Sequence, residues 1–207
     1  MTRRTISMIG IGLAVAIALA GASVVARTSS PAGSIVGTVK ATGQSNNADA
    51  VVYVEHSAGP FASPAPAVMD QRGMKFVPRV LGVLVGTTVK FNNSDTVSHN
   101  VFSPDHEKYQ LGTWAPGGSK DHVFATCAKS PCVYAQLCLI HPEMEGFVLV
   151  LQNPYFATTD ATGQFKIEGV PPGTYQVTVW HPKLKGQPKP VTVEAGKATT
   201  VDFTLGR

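Results

Sequence analysis

Hydrophobic and polar positions alternate with a period of two in short stretches along most of the chain. Turn residues separate the stretches, and no long amphipathic helical pattern appears. Ser34-Ile35-Val36-Gly37-Thr38-Val39-Lys40 alternates as a strand, and the polar turn Gly43 to Asp49 leads into a second strand, Ala50 to Glu55. Ser57 to Pro66, rich in Pro, Ala and Ser, reads as a linker. Beyond it, Met69 to Phe76, Val80 to Val85 and Thr87 to Phe91 read as strands. The turn signal Asn92-Asn93-Ser94-Asp95 precedes a strand-like Val97 to Phe102. Ser103 to Gly118 reads as a long surface connection with short strands, followed by strand runs at Asp121 to Thr126 and Val133 to Cys138. Gly146-Phe147-Val148-Leu149-Val150-Leu151 is apolar throughout, the mark of a strand buried on both faces. Thr158 to Ile167, Val170 to Val179, Pro190 to Val193 and Thr199 to Leu205 supply the last strands. The prediction is an all-β protein.

Composition agrees. With 20 glycines, 15 prolines and 14% charged residues, 207 residues suit one or two small β-domains in which strands and turns dominate. The formal charge of +4 includes Arg3, Arg4 and Arg27, which lie in or beside a segment expected to be removed, so the mature chain is only mildly basic and nothing argues for nucleic acid. Residues 1–26 read as a signal peptide: Arg3 and Arg4 precede an apolar Ile6 to Ala22, and Val24-Val25-Ala26 offers a small-residue cleavage site. An uncleaved anchor is the competing reading, because the apolar run is just long enough to span a bilayer. Thr2-Arg3-Arg4 partly matches a twin-arginine export motif. Either way the functional part is expected outside the cytoplasm, as a periplasmic protein with no other membrane association. An oxidising compartment allows Cys127 and Cys132, on either side of Ala128 to Pro131, to form a disulfide across a hairpin; two free thiols are the alternative.

The third cysteine begins a different pattern. Cys138-Leu139-Ile140-His141-Pro142-Glu143-Met144 places a thiol, an imidazole and a thioether in one loop between two strand runs. Thiolate, imidazole and thioether together select a soft metal, and two histidines with one cysteine and a weak axial methionine form the blue-copper electron-transfer site. The second histidine must come from another strand. His99 is the best placed, with His56, His106, His122 and His181 as competitors. Glu143 or a water could replace Met144 in the axial position.

His99-Asn100 followed by Cys138-x-x-His141-Pro142-x-Met144 resembles the blue copper proteins (cupredoxins), with the short loop of the amicyanin type. The resemblance covers roughly residues 66–153 and implies a Greek-key cupredoxin β-sandwich. One copper, cycling between Cu(I) and Cu(II), would be held by His99, Cys138, His141 and Met144. It also implies that the side-chain amide of Asn100 ties the His99 strand to the metal loop.

The rest of the chain resembles something else. Thr159-Asp160-Ala161-Thr162-Gly163-Gln164-Phe165 and Pro171-Pro172-Gly173-Thr174-Tyr175 are similar to the T-D-x-x-G-x-F and P-x-G-x-Y signature of the carboxypeptidase regulatory-like (transthyretin-like) β-sandwich. That family opens on a G-x-V strand that is missing from this stretch and present at residues 33–56. The expected organisation is therefore a second small β-sandwich made of residues 33–56 and 154–207, with the copper domain of residues 66–153 inserted between them. An N-terminal extension plus a separate C-terminal domain is the alternative.

The leading functional expectation is a monomeric electron carrier that exchanges electrons with a redox partner protein and is not an enzyme. Copper binding, storage or sensing without a redox partner is the second reading. Catalysis, with Cys138 and His141 as nucleophile and base, is the third.

Overall fold

The computed structural model describes residues 30–207, all of them strands, turns and loops; the signal peptide expected at residues 1–26 lies outside them. Seventeen strands form four sheets, and these stack as two sandwiches. The first uses β3 (Ala67–Gln71), β4 (Phe76–Val77), β5 (Val80–Leu84), β6 (Thr88–Asn93), β7 (His99–Ser103), β8 (Tyr109–Trp114), β9 (Ser119–Val123), β10 (Cys132–Leu137) and β11 (Glu145–Leu151). One sheet runs β4-β3-β6-β9 and the other β5-β11-β10-β7-β8. The chain changes sheet repeatedly, as in a Greek key, and β3–β6 and β5–β11 pair in parallel.

The second sandwich is built from β1 (Gly33–Ala41) and β2 (Val51–Val54) together with β12 (Phe156–Thr158), β13 (Gln164–Val170), β14 (Gly173–Trp180), β15 (Lys189–Val193), β16 (Ala198–Thr200) and β17 (Phe203–Leu205). β1 pairs with β13, β16 and β17, and β2 lies between β12 and β14. Neither early strand pairs with any strand of residues 67–151.

Period-two alternation explains why each strand has one dry face. In β10 the side chains of Cys132, Tyr134 and Gln136 are buried, with Val133, Ala135 and Leu137 between them more exposed. Each sandwich has its own core, one around Ile35, Val52, Ile167 and Leu205 and the other around Met69, Phe91, Phe124, Tyr134 and Val148. A third cluster joins the two: Val51 and Tyr53 of β2, with Phe156 and Trp180, pack on Val80, Leu149, Leu151 and Phe147. This explains the continuous apolar run of β11, whose second face is covered by the neighbouring sandwich.

Two details depart from the expected strand plan. β9 and β10 do not form a hairpin, because β9 pairs with β6 in one sheet and β10 with β7 and β11 in the other. The disulfide Cys127–Cys132 therefore closes the crossover between the sheets and ties down the first residue of β10, the strand that leads into Cys138. The stretch from Ser103 to Gly118 is also more regular than its turn residues suggest, since β8 runs antiparallel to β7 through most of it.

Candidate metal centre

Three elements converge at one end of the first sandwich. His99 opens β7 and Cys138 follows directly on β10. His141 and Met144 belong to the loop that returns the chain into β11. Strand pleating aims His99 and Cys138 inward, and both are buried, as is Met144. His141 is half-buried.

The donor atoms form a compact triangle. His99 Nδ1 lies 3.0 Å from His141 Nδ1, and Cys138 Sγ lies 4.0 Å and 3.8 Å from these two nitrogens. With bonds of about 2.0 Å to nitrogen and about 2.3 Å to thiolate sulfur, as zinc has, a planar three-donor site has edges of roughly 3.5 Å and 3.7 Å. The observed triangle is close to this, so the donors fit around one ion with little movement. Among the described residues no other set of three His, Cys, Asp or Glu side chains converges in this way. Met144 shares the core cluster of Cys138, and its N–H donates to the carbonyl of His141 at 3.0 Å, which tightens the loop.

Asn100 is bound on three sides. Its N–H donates to Cys138 Sγ at 3.4 Å, its Oδ1 accepts from Leu139 N–H at 3.4 Å and its Nδ2 donates to the carbonyl of Gly112 at 2.9 Å. Two further residues of this neighbourhood were not singled out in the sequence. Asp95 takes the outer ring nitrogen of His99, with Oδ2 at 2.8 Å from Nε2, which assigns the proton to Nε2 and leaves Nδ1 free as a donor to an ion. Partial burial works against the charge of Asp95, but N–H donors of Met74 and Gly73 and the His99 ring outweigh it and hold the carboxyl below its usual range. Gln71, fully buried on the opposite sheet, donates from Nε2 to the carbonyl of Asn100 at 3.1 Å. The spacing of Asp95 four residues before His99 was the only sequence signal for either.

The remaining histidines are elsewhere. His122 stacks on Tyr109 at 3.7 Å between ring centroids, and His106 lies 4.7 Å from Tyr134. His181 is buried in the second sandwich, where its Nδ1 accepts from Lys183 N–H. His56 follows β2 at the start of the linker. Two residues of the metal loop just ahead of His141 are apolar and exposed, Leu139 at 59% and Ile140 at 46%.

Comparison with known proteins gives two sets of similarities. The carboxypeptidase regulatory-like domain family matches residues 130–206. That match takes in β10 and β11 of the first sandwich and all of β12 to β17, and leaves out β1 and β2. No curated protein matches the chain. Among solved structures, a copper-containing nitrite reductase from Thermus scotoductus SA-01 is 26% identical over 48% of this chain, with a TM-score of 0.39. This chain spans 25% of that enzyme. A purple cupredoxin from Nitrosopumilus maritimus is 28% identical over 41% of this chain and 98% of its own, with a TM-score of 0.36. An amicyanin variant in its Cu(I) form is 25% identical over 41% of this chain and 81% of its own, with a TM-score of 0.37.

Proposed function

We propose that this chain is an exported, periplasmic, mononuclear type 1 copper protein that carries electrons between redox partners. The observation that carries the reading is the triangle of Cys138 Sγ with the Nδ1 atoms of His99 and His141, closed by a loop that also holds the buried Met144. His99, Cys138 and His141, with Met144 beside them, would hold one copper. Bound there, copper supplies one-electron transfer between Cu(I) and Cu(II).

The protein's own part is to keep the donors still. Asp95 holds the His99 ring in one tautomer, Asn100 holds the thiolate and the loop, and the parent strands belong to a packed core. Donors held in one geometry suit both oxidation states equally and keep reorganisation small. His141, half-buried and preceded in its loop by the exposed Leu139 and Ile140, is the route by which an electron leaves. An apolar loop of this kind suits docking of a protein partner, which supports a carrier over an enzyme with a substrate cleft.

Copper-loaded protein should show an intense thiolate-to-copper absorption band and a narrow copper hyperfine splitting in its electron paramagnetic resonance spectrum. Cys138→Ala should abolish the band. A variant that stays blue, or a wild-type protein that takes up copper without the band, would overturn the ligand assignment.

A further inference from the structure

Arg79 touches both sandwiches. It sits immediately before β5 and its guanidinium spans two carboxylates: Nη1 lies 3.1 Å from Asp49 Oδ2 of the second sandwich, and Nη2 lies 3.0 Å from Glu145 Oε2 of the first. Glu145 is the residue that follows Met144. The guanidinium also lies over the Phe147 ring, 5.7 Å from its centroid, and Phe147 meets Trp180 of the second sandwich edge-on at 5.4 Å. The backbone of Arg79 is fixed too, since its carbonyl accepts from Phe147 N–H at 2.8 Å.

The second sandwich presents Asp49 firmly. Asp49 lies in the β1–β2 connection at φ 66°, a conformation that Asp and Asn tolerate better than most residues. Thr159 pins that connection: its N–H donates to Ala50 O at 2.8 Å, and its Oγ1 donates to Asn47 O at 2.7 Å. Asn47 in turn donates from its N–H to Ala161 O and accepts Ala41 N–H on its side chain. The Thr159 to Gly163 turn that marks this sandwich in the sequence is thus the mount for Asp49.

The far end of the metal loop borders a cleft of about 310 Å³, lined by Phe76, Arg79, Met144 and Glu145 among others, and Arg79 spans it from the side of the second sandwich.

We propose that Arg79 and Asp49 are positioning residues for the copper site: the second sandwich, through Asp49, holds Arg79 against Glu145 and so sets where Met144 stands. The proposal rests on the copper reading above and assigns the second sandwich a role in it. A guanidinium can hold two carboxylates at once through separate nitrogens, which a lysine ammonium does less well.

The test uses copper-loaded, full-length protein. Asp49→Asn keeps the backbone conformation and removes one charge; Arg79→Lys keeps the charge and removes the fork. Each should change the ratio of the thiolate-to-copper absorption bands, which responds to the axial ligand. Each should also speed release of Cu(I) to a chelator by about two- to fivefold, the range open to a partly exposed ion pair. In a Glu145→Gln background the effect of Asp49→Asn should disappear, because the link is already cut. Arg79→Lys carries the same expectation if Asp49→Asn does not fold. Wild-type band ratios and release rates in the variants, or effects that simply add, would overturn the inference alone. Absence of the thiolate-to-copper band from the wild-type protein would overturn the copper reading and this inference with it.

Discussion

Single side chains set the pH response of the fold. Burial pushes the ring of His181 below its ordinary value near 6.5; Asp49 pulls it the other way, while Arg79 and Lys183 add to the lowering. The unfolded chain therefore takes up a proton on His181 as the pH falls through about 6.5, before the folded chain does. Stability is full above that pH and is lost as the pH falls towards the folded value. His181→Gln should flatten this slope, measured by urea unfolding between about pH 5 and pH 7.5, and an unchanged slope would exclude His181 as its source. Asn153 offers a pH-independent case. It is buried where the chain passes from one sandwich to the other, donating to Val54 O at 2.8 Å and accepting Tyr155 N–H at 3.0 Å. Asn153→Ala should cost about 1–3 kcal/mol, read in the same titration, by leaving those groups without a partner. At this scale legibility was uneven. Cys138, His141 and Met144 stood out because their chemistry and spacing are unusual, and His99 because of the asparagine after it. Asp95 passed as part of a turn, and Gln71 gave no signal, because alternation locates buried apolar residues and not a polar one buried among them.

Strands and loops depend on a few close approaches. Gly146, the second residue of β11, has room for no side chain: a Cβ there would stand 2.7 Å from Cβ of Phe76 and 3.2 Å from the carbonyl of Arg79. Gly146→Ala should therefore destabilise the first sandwich by about 1–3 kcal/mol and displace the neighbouring end of the metal loop. Thermal unfolding reads the first effect and the copper band ratio the second; an alanine variant with wild-type values for both would show that the approach is not tight. Gly163 plays a related part in the second sandwich, at φ 89° with its would-be Cβ 2.2 Å from Val39 O. That glycine was readable from the T-D-x-x-G-x-F signature; in the structure Asp160, three positions earlier, accepts Thr162 and Gln164 N–H and is held below the usual carboxylate range chiefly by its Thr162 and Gln164 hydrogen bonds. Strand existence was legible from alternation almost throughout. Pairing was not: Asp121 to Thr126 and Val133 to Cys138 are separated by a short polar link that looks like a hairpin turn, yet their strands join different sheets. A period of two reports which face is dry and carries nothing about which neighbour supplies the hydrogen bonds.

At the scale of the whole molecule, β1 and β2 find their partners only after β3 to β11 have gone by in chain order. Residues 154–207 alone lack the strand between β13 and β16 and the one between β12 and β14, which leaves sheet edges and apolar faces uncovered. That fragment should give no cooperative unfolding transition, and joining residues 33–56 to it by a short linker should restore one. A sharp transition from residues 154–207 by themselves would show that the early strands are dispensable. The late partners of β1 and β2 were signalled in the sequence, because the turn signature of one sandwich was present without its opening strand. The apolar cluster between the sandwiches could not, because Tyr53, Phe156 and Trp180 look like ordinary core positions until β11 is seen to be covered on both faces. The interrupted order also has a consequence in time. As the chain is made from its N-terminus, β1 emerges with its partner β13 still unmade, a delay of roughly 10 s at ribosomal speed. Over that interval the sandwich of β3 to β11 can complete itself, and in doing so it brings the segments at its two ends to one cleft, lined by Ala65, Ala67 and Pro154. The first sandwich thus acts as a template that shortens the loop the second must close, and the second's assembly is timed by the arrival of the last fifty residues.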